Sequence, residues 1–270
     1  MSTSAFWLRV ALALSLIALA WLSPLDHYAQ AQAQDGLKRA LATFAVARAL
    51  NGVISVAQGT EVAVEPAGVG MTFTPGQVLD PINDLVEQFS SLMLVASVSF
   101  GVQSALLAIG GHWLPSALLS LLLLIWIWKR RTAARSLWLD RILLLLVLLR
   151  FAVPVAALGS DLAYRLFLAD RYQQSQSALS LSGDELGELA APEPQPGPES
   201  LGSRMQRWWA DAGKSLDLSA RLQRLKEAAA QVTEHIVELI VVFLLQTLII
   251  PLLLLYGLWH GTLALMRSRG

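Results

Sequence analysis

The sequence predicts an all-α membrane protein with about four transmembrane helices, some of which extend into an exported helical domain, and with one small β-hairpin. Three observations lead to this prediction. The 270 residues are 55% hydrophobic and 15% charged, which is too apolar for the surface of an ordinary water-soluble domain. The apolar residues are concentrated in four or five stretches, and a short basic loop, residues 129–135, lies between two of them.

The basic loop predicts how the chain is oriented. Cytoplasmic loops between membrane spans carry an excess of Lys and Arg. Residues 129–135, with Arg141 just beyond them, are therefore expected in the cytoplasm. Arg267 and Arg269 follow the last apolar stretch and agree with that side. Together with the export signal described below, this orientation predicts a multi-pass protein of a bacterial cytoplasmic (inner) membrane, with its exported parts in the periplasm.

Charge and cysteine content exclude several classes of function. The chain has 20 basic and 20 acidic residues, so there is no net field to attract a nucleic acid. It has no cysteine, which excludes disulfides, cysteine-based zinc sites and thiol nucleophiles. No nucleic-acid partner is expected.

Residues 1–31 have the features of an export signal. Arg9 precedes an apolar run from Val10 to Leu22, and small residues follow at 29–33. Cleavage there would leave a mature chain that starts near Gln32. An uncleaved N-terminal anchor is the alternative. In both cases the chain from residue 24 onward is expected outside the cytoplasm.

Residues 32–112 are predicted to form an exported helix, a β-hairpin and a long membrane-associated helix. Helical periodicity covers residues 37–56, and alternation around a turn-rich centre at 61–73 indicates the hairpin. The dipeptide Asp80-Pro81 is a strong helix start, because Asp can cap a helix and Pro is favoured at its first position. This helix is expected to reach about Ile109.

Two patterns predict that the helix beginning near Asp80 packs closely on others. Apolar residues at spacings of three and four indicate a heptad seam formed by Ile82, Leu85, Phe89, Leu92, Ala96 and Ser99. A ridge of small residues, Ser97, Gly101 and Ala105, allows another helix to approach closely.

Two membrane topologies are compatible with the apolar segments. If residues 91–109 and 113–128 both crossed the membrane after an exported segment, the basic loop would lie outside, against the positive-inside rule. We therefore expect residues 91–109 to dip into the membrane or to be buried against other helices. The alternative is five spans with an external N-terminus.

The rest of the chain divides into five predicted segments. A second heptad seam runs from Leu218 to Phe243. In chain order we expect a transmembrane hairpin at 113–160, an exported helix extension at 161–182, an acidic proline-rich linker at 183–200, exported amphipathic and coiled-coil-like helices at 201–235, and a C-terminal transmembrane helix at 236–270.

Arg150 is the leading candidate for a functional residue. It lies about 12 Å into its predicted span at 1.5 Å per residue, and a lipid-facing charge there would cost at least ~2.5 kcal/mol. Gln246 lies at a similar depth on the last span, and Glu238 lies nearer the outer boundary. With Gln103 as a fourth member, these residues predict an intramembrane polar cluster. We favour a clamp that holds helices together over an ion or solute path.

No other motif indicates catalysis or a bound metal. His235 and Glu238 are three residues apart on one helix face, but two ligands do not make a site and no HExxH motif is present. Trp208-Trp209 is interpreted as an interfacial anchor. No GxSxG or SxxK motif supplies a nucleophile. We therefore expect that the protein is not an enzyme and that it binds no metal and no cofactor.

The sequence thus predicts a non-catalytic inner-membrane scaffold or accessory protein that acts through helix packing in the membrane and in the exported domain. The alternative is a transport or channel component that uses the intramembrane polar cluster. The inner halves of two spans are almost pure Leu and Ile, which counts against a polar path. Membrane lipids are expected partners, and another membrane protein or a second copy of the chain is a candidate partner.

Overall fold

The described part of the chain is predominantly helical. A computed structural model describes residues 3–22, 24–58, 62–64, 71–73, 76–131, 137–190 and 201–268. The basic loop beyond Arg131 and the acidic linker from 191 onward lie outside the described residues, as do the side chains of Trp208 and Trp209.

The described residues form eight α-helices. In chain order they are α1 Thr3–Leu22, α2 Pro24–Gln58, α3 Gly76–Gly110, α4 Trp113–Arg131, α5 Leu137–Ala163, α6 Ala169–Ala190, α7 Leu201–Leu244 and α8 Ile250–Ser268. A π-helical turn at Tyr164–Leu168 joins α5 to α6, and another at Leu245–Ile249 joins α7 to α8. Each of these pairs therefore continues as one long helical segment.

Two three-residue strands lie between α2 and α3. The first, β1, is Val62–Val64, and the second, β2, is Met71–Phe73. They pair antiparallel, with Val62 opposite Phe73. The two strands lie within the segment for which the sequence predicts a hairpin, and they are a minor element of a helical fold.

Among the described residues, four helical segments are long and apolar enough to cross a membrane, which is compatible with a multi-pass membrane protein. They are Pro24–Val56, Leu79–Gly110, Trp138–Glu188 and Gln223–Ala264. Val10–Leu22 and Trp113–Lys129 are shorter apolar helices. This set differs from the predicted one, because α2 and α3 continue without a break through residues that the sequence analysis divided between exported and membrane segments.

Contacts divide the chain into two compact units. Unit 1 comprises Met1–Ala40, Val95–Leu168 and Phe243–Gly270, and unit 2 comprises Leu41–Leu94 and Ala169–Val242. Within the described residues, unit 1 thus contains α1, α4, α5 and α8 with parts of α2 and α3.

Unit 1 exposes many large apolar side chains. Examples on α1, α4, α5 and α8 are Trp7, Leu12, Leu124, Leu149 and Leu253. Its interior is built from small and aliphatic residues. One cluster joins α1 to α4 through Ala13, Ala20, Leu119 and Leu123. Another joins Ala29 and Ala33 of α2 to Leu107 and Ala157. An apolar surface around such a core is what a bilayer favours.

Unit 2 is a bundle of parts of α2, α3, α6 and α7. Buried residues on each helix recur at spacings of three and four, as helices that pack side by side require. They include Thr43, Ala47, Leu50 and Ile54 on α2, Leu79, Ile82, Val86 and Phe89 on α3, Ser175, Leu179, Ser182 and Leu186 on α6, and Leu225, Ala229, Val232, Ile236 and Leu239 on α7. The predicted α7 seam is confirmed from Leu225 onward.

The predicted α3 seam is correct at every second position and wrong at the positions between them. Ile82, Phe89 and Ala96 are buried as expected. The alternating positions are filled by Val86, Met93 and Phe100, whereas Leu92 is 43% exposed. Leu85 and Val86, like Leu92 and Met93, are adjacent apolar residues, so the spacing alone does not decide which of each pair faces inward.

Two helix boundaries also differ from the sequence prediction. α3 begins at Gly76 instead of Asp80, and the Asp80 carboxylate accepts a hydrogen bond from Gln58 Nε2 at 2.8 Å. Pro81 therefore lies inside α3, beyond its first turn, where it removes one intrahelical N–H donor. α6 continues to Ala190, into the predicted linker, because Leu186 is buried in the bundle.

α2 begins at Pro24 and passes through the predicted cleavage region without a break. The structure therefore gives no support to a signal-peptide boundary at residues 29–33. Ala29 and Ala33, which suggested a cleavage site because they are small, are core residues of unit 1.

Gly36 provides a test of helix packing in unit 1. A Cβ atom at residue 36 would overlap the buried Phe100 ring, whereas one at Gly52, on the same helix, would meet nothing within 4 Å. We expect Gly36→Ala to lower the free energy of unfolding by about 1–3 kcal/mol through overpacking. Gly52→Ala should instead raise it by about 0.4–1 kcal/mol through a smaller loss of chain entropy. Detergent unfolding of both variants checks this, and equal effects would contradict it.

Candidate functional site

Arg150 is a buried cation in the middle of the apolar helix α5. Its residue surface is 2% exposed. Nη1 donates to Asp26 Oδ1 at 2.9 Å, and Nη2 donates to Asp26 Oδ2. This bidentate geometry matches the planar guanidinium fork to the carboxylate. Arg150 thus has a charged partner on α2 and does not face the apolar exterior.

The break between α1 and α2 explains why this partner is available. α1 ends at Leu22, and the last carbonyls of a helix have no intrahelical donor. Arg150 Nη2 donates to the Ala20 carbonyl at 3.2 Å, and Ser116 Oγ donates to the same oxygen at 3.0 Å. A cation is also favoured at the negative end of a helix dipole. The end of α1 is therefore satisfied by side chains of α4 and α5.

Asp26 is equally well placed at the start of α2. It lies in the first helical turn, where a negative charge is favoured by the helix dipole. Its Oδ2 lies 3.6 Å from the Cβ position of Gly111, in the turn between α3 and α4. The Arg150–Asp26 pair is thus enclosed by residues of α1, α2, α4, α5 and this turn.

Further polar contacts of unit 1 join neighbouring helices in the same way. Gln30 Nε2 donates to Ser104 Oγ at 3.0 Å between α2 and α3. Trp21 Nε1 donates to Ser120 Oγ at 2.9 Å between α1 and α4. Trp126 Nε1 donates to Asp140 Oδ1 at 2.6 Å between α4 and α5. Hydrogen bonds between helices of this kind hold membrane bundles together.

Within the described residues, no hydrogen bond joins Arg150 to the other three members of the predicted polar cluster. Arg150 donates to Asp26 and Ala20. Gln246 is 4% exposed within the π-helical turn at 245–249, and its Oε1 has no hydrogen-bond partner among those residues. Glu238 belongs to unit 2 and accepts a hydrogen bond from Ser175. Gln103 is partly buried on α3.

The predicted ridge of small residues is unevenly packed. Ser97 is buried and Ala105 is exposed. The Cβ position of Gly101 meets nothing within 4 Å. The close approach on α3 occurs one residue earlier, where Phe100 covers Gly36.

Unit 2 has its own polar layer on α6 and its neighbours. Thr43 Oγ1 donates to Gln176 Oε1 at 2.8 Å, and Ser175 Oγ donates to Glu238 Oε2. His235 Nδ1 lies 3.8 Å from the same Glu238 oxygen. Among the residues that the structure describes, no group of three His, Cys, Asp or Glu side chains lies close enough to hold a metal ion.

Comparison with known proteins provides no functional assignment. No protein-family model matches the chain, and neither a curated protein nor a solved structure matches it. Any functional interpretation therefore depends on the two units and on the Arg150–Asp26 pair.

The sequence analysis identified Arg150 but missed Asp26. Asp26 was assigned to the export signal and was not considered as a partner for an intramembrane charge. A signal was present, because Ser23-Pro24 breaks the helix and Asp26 follows it directly. An acidic residue at such a break, beside an apolar segment that contains a single Arg, is a candidate ion pair.

The ion pair can be tested by comparing single and double substitutions. Asp26→Leu or Arg150→Leu leaves one buried charge unpaired, so each should lower the free energy of unfolding by about 3–5 kcal/mol. The double variant removes both charges and should recover most of that loss. SDS titration of the purified protein in mixed micelles measures all three.

Asp35→Leu is a matched control on the same helix. Asp35 pairs with Lys38 at 3.2 Å, but both side chains are largely exposed. Such a pair contributes about 0–1 kcal/mol, so its loss should have little effect. Additive losses in the double Asp26/Arg150 variant would show that the two residues do not act as a pair.

Proposed function

We propose that this chain is a non-catalytic, multi-pass scaffold or accessory protein of a bacterial cytoplasmic membrane. Unit 1 is its membrane part, and unit 2 is a helical bundle on the exported side. The observation that carries this proposal is the Arg150–Asp26 pair. Arg150 is the most costly polar group to bury in unit 1. Both of its terminal nitrogens donate hydrogen bonds to neighbouring helices, so the residue contributes to helix packing.

The other polar contacts of unit 1 support the same conclusion. The Gln30–Ser104, Trp21–Ser120 and Trp126–Asp140 bonds each connect two neighbouring helices. A solute path needs polar groups that remain free to bind a passing solute. In unit 1 the donors of these pairs are already bound to protein, and lipid is the partner that suits the exposed apolar surface.

Unit 2 is the part that we expect to contact a protein partner, either another membrane protein or a second copy of the chain. Its helices have a buried heptad-like core and therefore form a stable platform without ligands. Partner binding by a helical bundle in this position needs no catalytic residue and no cofactor, and no nucleic acid is expected to bind.

A transport or channel component is the second candidate, and two buried oxygens favour it. Gln246 Oε1 and Asp161 Oδ1 are buried in unit 1 and have no hydrogen-bond partner in the part of the chain that the structure describes. Unpaired acceptors inside a membrane unit are possible ligands for water or a cation.

Flux through purified protein in liposomes separates the two functions. A scaffold predicts that fluxes of H⁺, Na⁺, K⁺ and Cl⁻ remain at the level of empty liposomes. A transport component predicts a flux that Gln246→Leu abolishes. Thr247→Val is the control, because Thr247 lies in the same π-helical turn and its hydroxyl donates to the Phe243 carbonyl at 2.7 Å. A flux that both variants leave unchanged would contradict a role for Gln246.

Orientation can be tested by cysteine labelling, because the natural chain contains no cysteine. Gln88→Cys and Glu185→Cys place thiols at exposed positions of unit 2, and Ala133→Cys places one in the basic loop. A membrane-impermeant maleimide should label the first two from the periplasmic side and Ala133→Cys only after lysis. The opposite pattern would place unit 2 in the cytoplasm.

A further inference from the structure

The N-terminal segment, residues 1–31, has the composition of an export signal but the contacts of a permanent structural element. We infer that this segment stays attached to the mature protein as a membrane anchor. Asp26, within this segment, is the counter-ion of Arg150. The inference concerns processing of the chain, and it stands whichever of the two functions is correct.

Of the three alanines that suggest a cleavage site, Ala29 and Ala33 are buried and Ala31 is exposed. Ala29 and Ala33 are buried inside α2 against Leu107 and Ala157. Proteolysis favours exposed, unstructured chain, and its tolerance follows from the burial and hydrogen bonding of the backbone. In the folded protein the backbone at 29–33 is helical, and the Ala29 and Ala33 side chains are enclosed by residues of α3 and α5.

Loss of the segment would also remove essential partners from the rest of unit 1. Ala13 and Ala20 cover Leu119 and Leu123 of α4. The Ala20 carbonyl and the Asp26 carboxylate accept every hydrogen bond that Arg150 donates within the described residues. A chain that began near Gln32 would therefore contain a buried arginine without an acceptor and an α4 face without a cover.

Small side chains have a packing role here. Ala at 13, 20, 29 and 33 lets α1 and α2 lie close to α4, α3 and α5, as small residues do between membrane helices. Export peptidases also prefer small residues, so the composition of this segment is compatible with both cleavage and retention. The contacts that this segment makes with α3, α4 and α5 favour its retention.

The direct test is the intact mass and N-terminal sequence of the full chain, purified from membranes through a C-terminal tag. We expect a polypeptide that still contains residues 2–31. A polypeptide that begins near Gln32 would overturn the inference.

A cross-link provides a second, independent readout. Trp21→Cys and Ser120→Cys replace two side chains that contact each other between α1 and α4. A short bis-maleimide added to membranes should join the two cysteines in one chain, and peptide mass spectrometry should identify the link. Ser120→Cys alone is the control. Absence of the link, together with a chain that lacks residue 21, would refute retention even if the variant were poorly abundant.

Discussion

The bidentate ion pair between Arg150 and Asp26 is the interaction on which the packing of unit 1 depends. A buried ion pair is weak evidence for net stability, because desolvation offsets its Coulomb attraction. Its stronger effect is on register. α5 is a Leu-rich helix whose apolar surface can pack in several similar ways. Among the described residues, Arg150 has its acceptors only where α1 ends and α2 begins. The charge therefore fixes which turn of α5 faces this break.

The break itself is tolerated because protein covers it. In an apolar environment every backbone carbonyl needs an internal donor, and helix ends lack one. Ala20 at the end of α1 receives hydrogen bonds from Ser116 and Arg150. Asp26 at the start of α2 supplies the opposite charge. Ion pair and helix break are thus one arrangement, because the Ala20 carbonyl and the Asp26 carboxylate accept from the two terminal nitrogens of Arg150.

The sequence was sufficient to predict burial where a single helical periodicity, or a single residue that is costly to expose to lipid, determined it. The α7 seam from Leu225 to Leu239 and the burial of Arg150 were predicted correctly for that reason. It failed where two residues were equally apolar, as with Leu92 and Met93 on α3. The partner of Arg150 was missed, because 124 residues separate it from Asp26 and the packing of α1, α2 and α5 brings them together.

The π-helical turn at 245–249 has a local cause that leaves one group unexplained. The ring of Pro251 would meet the Thr247 carbonyl in a regular helix, and a wider turn relieves that contact. Ile250 N–H accordingly donates to the Leu245 carbonyl five residues earlier. Proline therefore accounts for the backbone but not for the unpaired, buried Oε1 of Gln246. A fixed water would satisfy that oxygen in a scaffold and an exchanging cation would satisfy it in a transporter, so Gln246 is where the two functions differ physically.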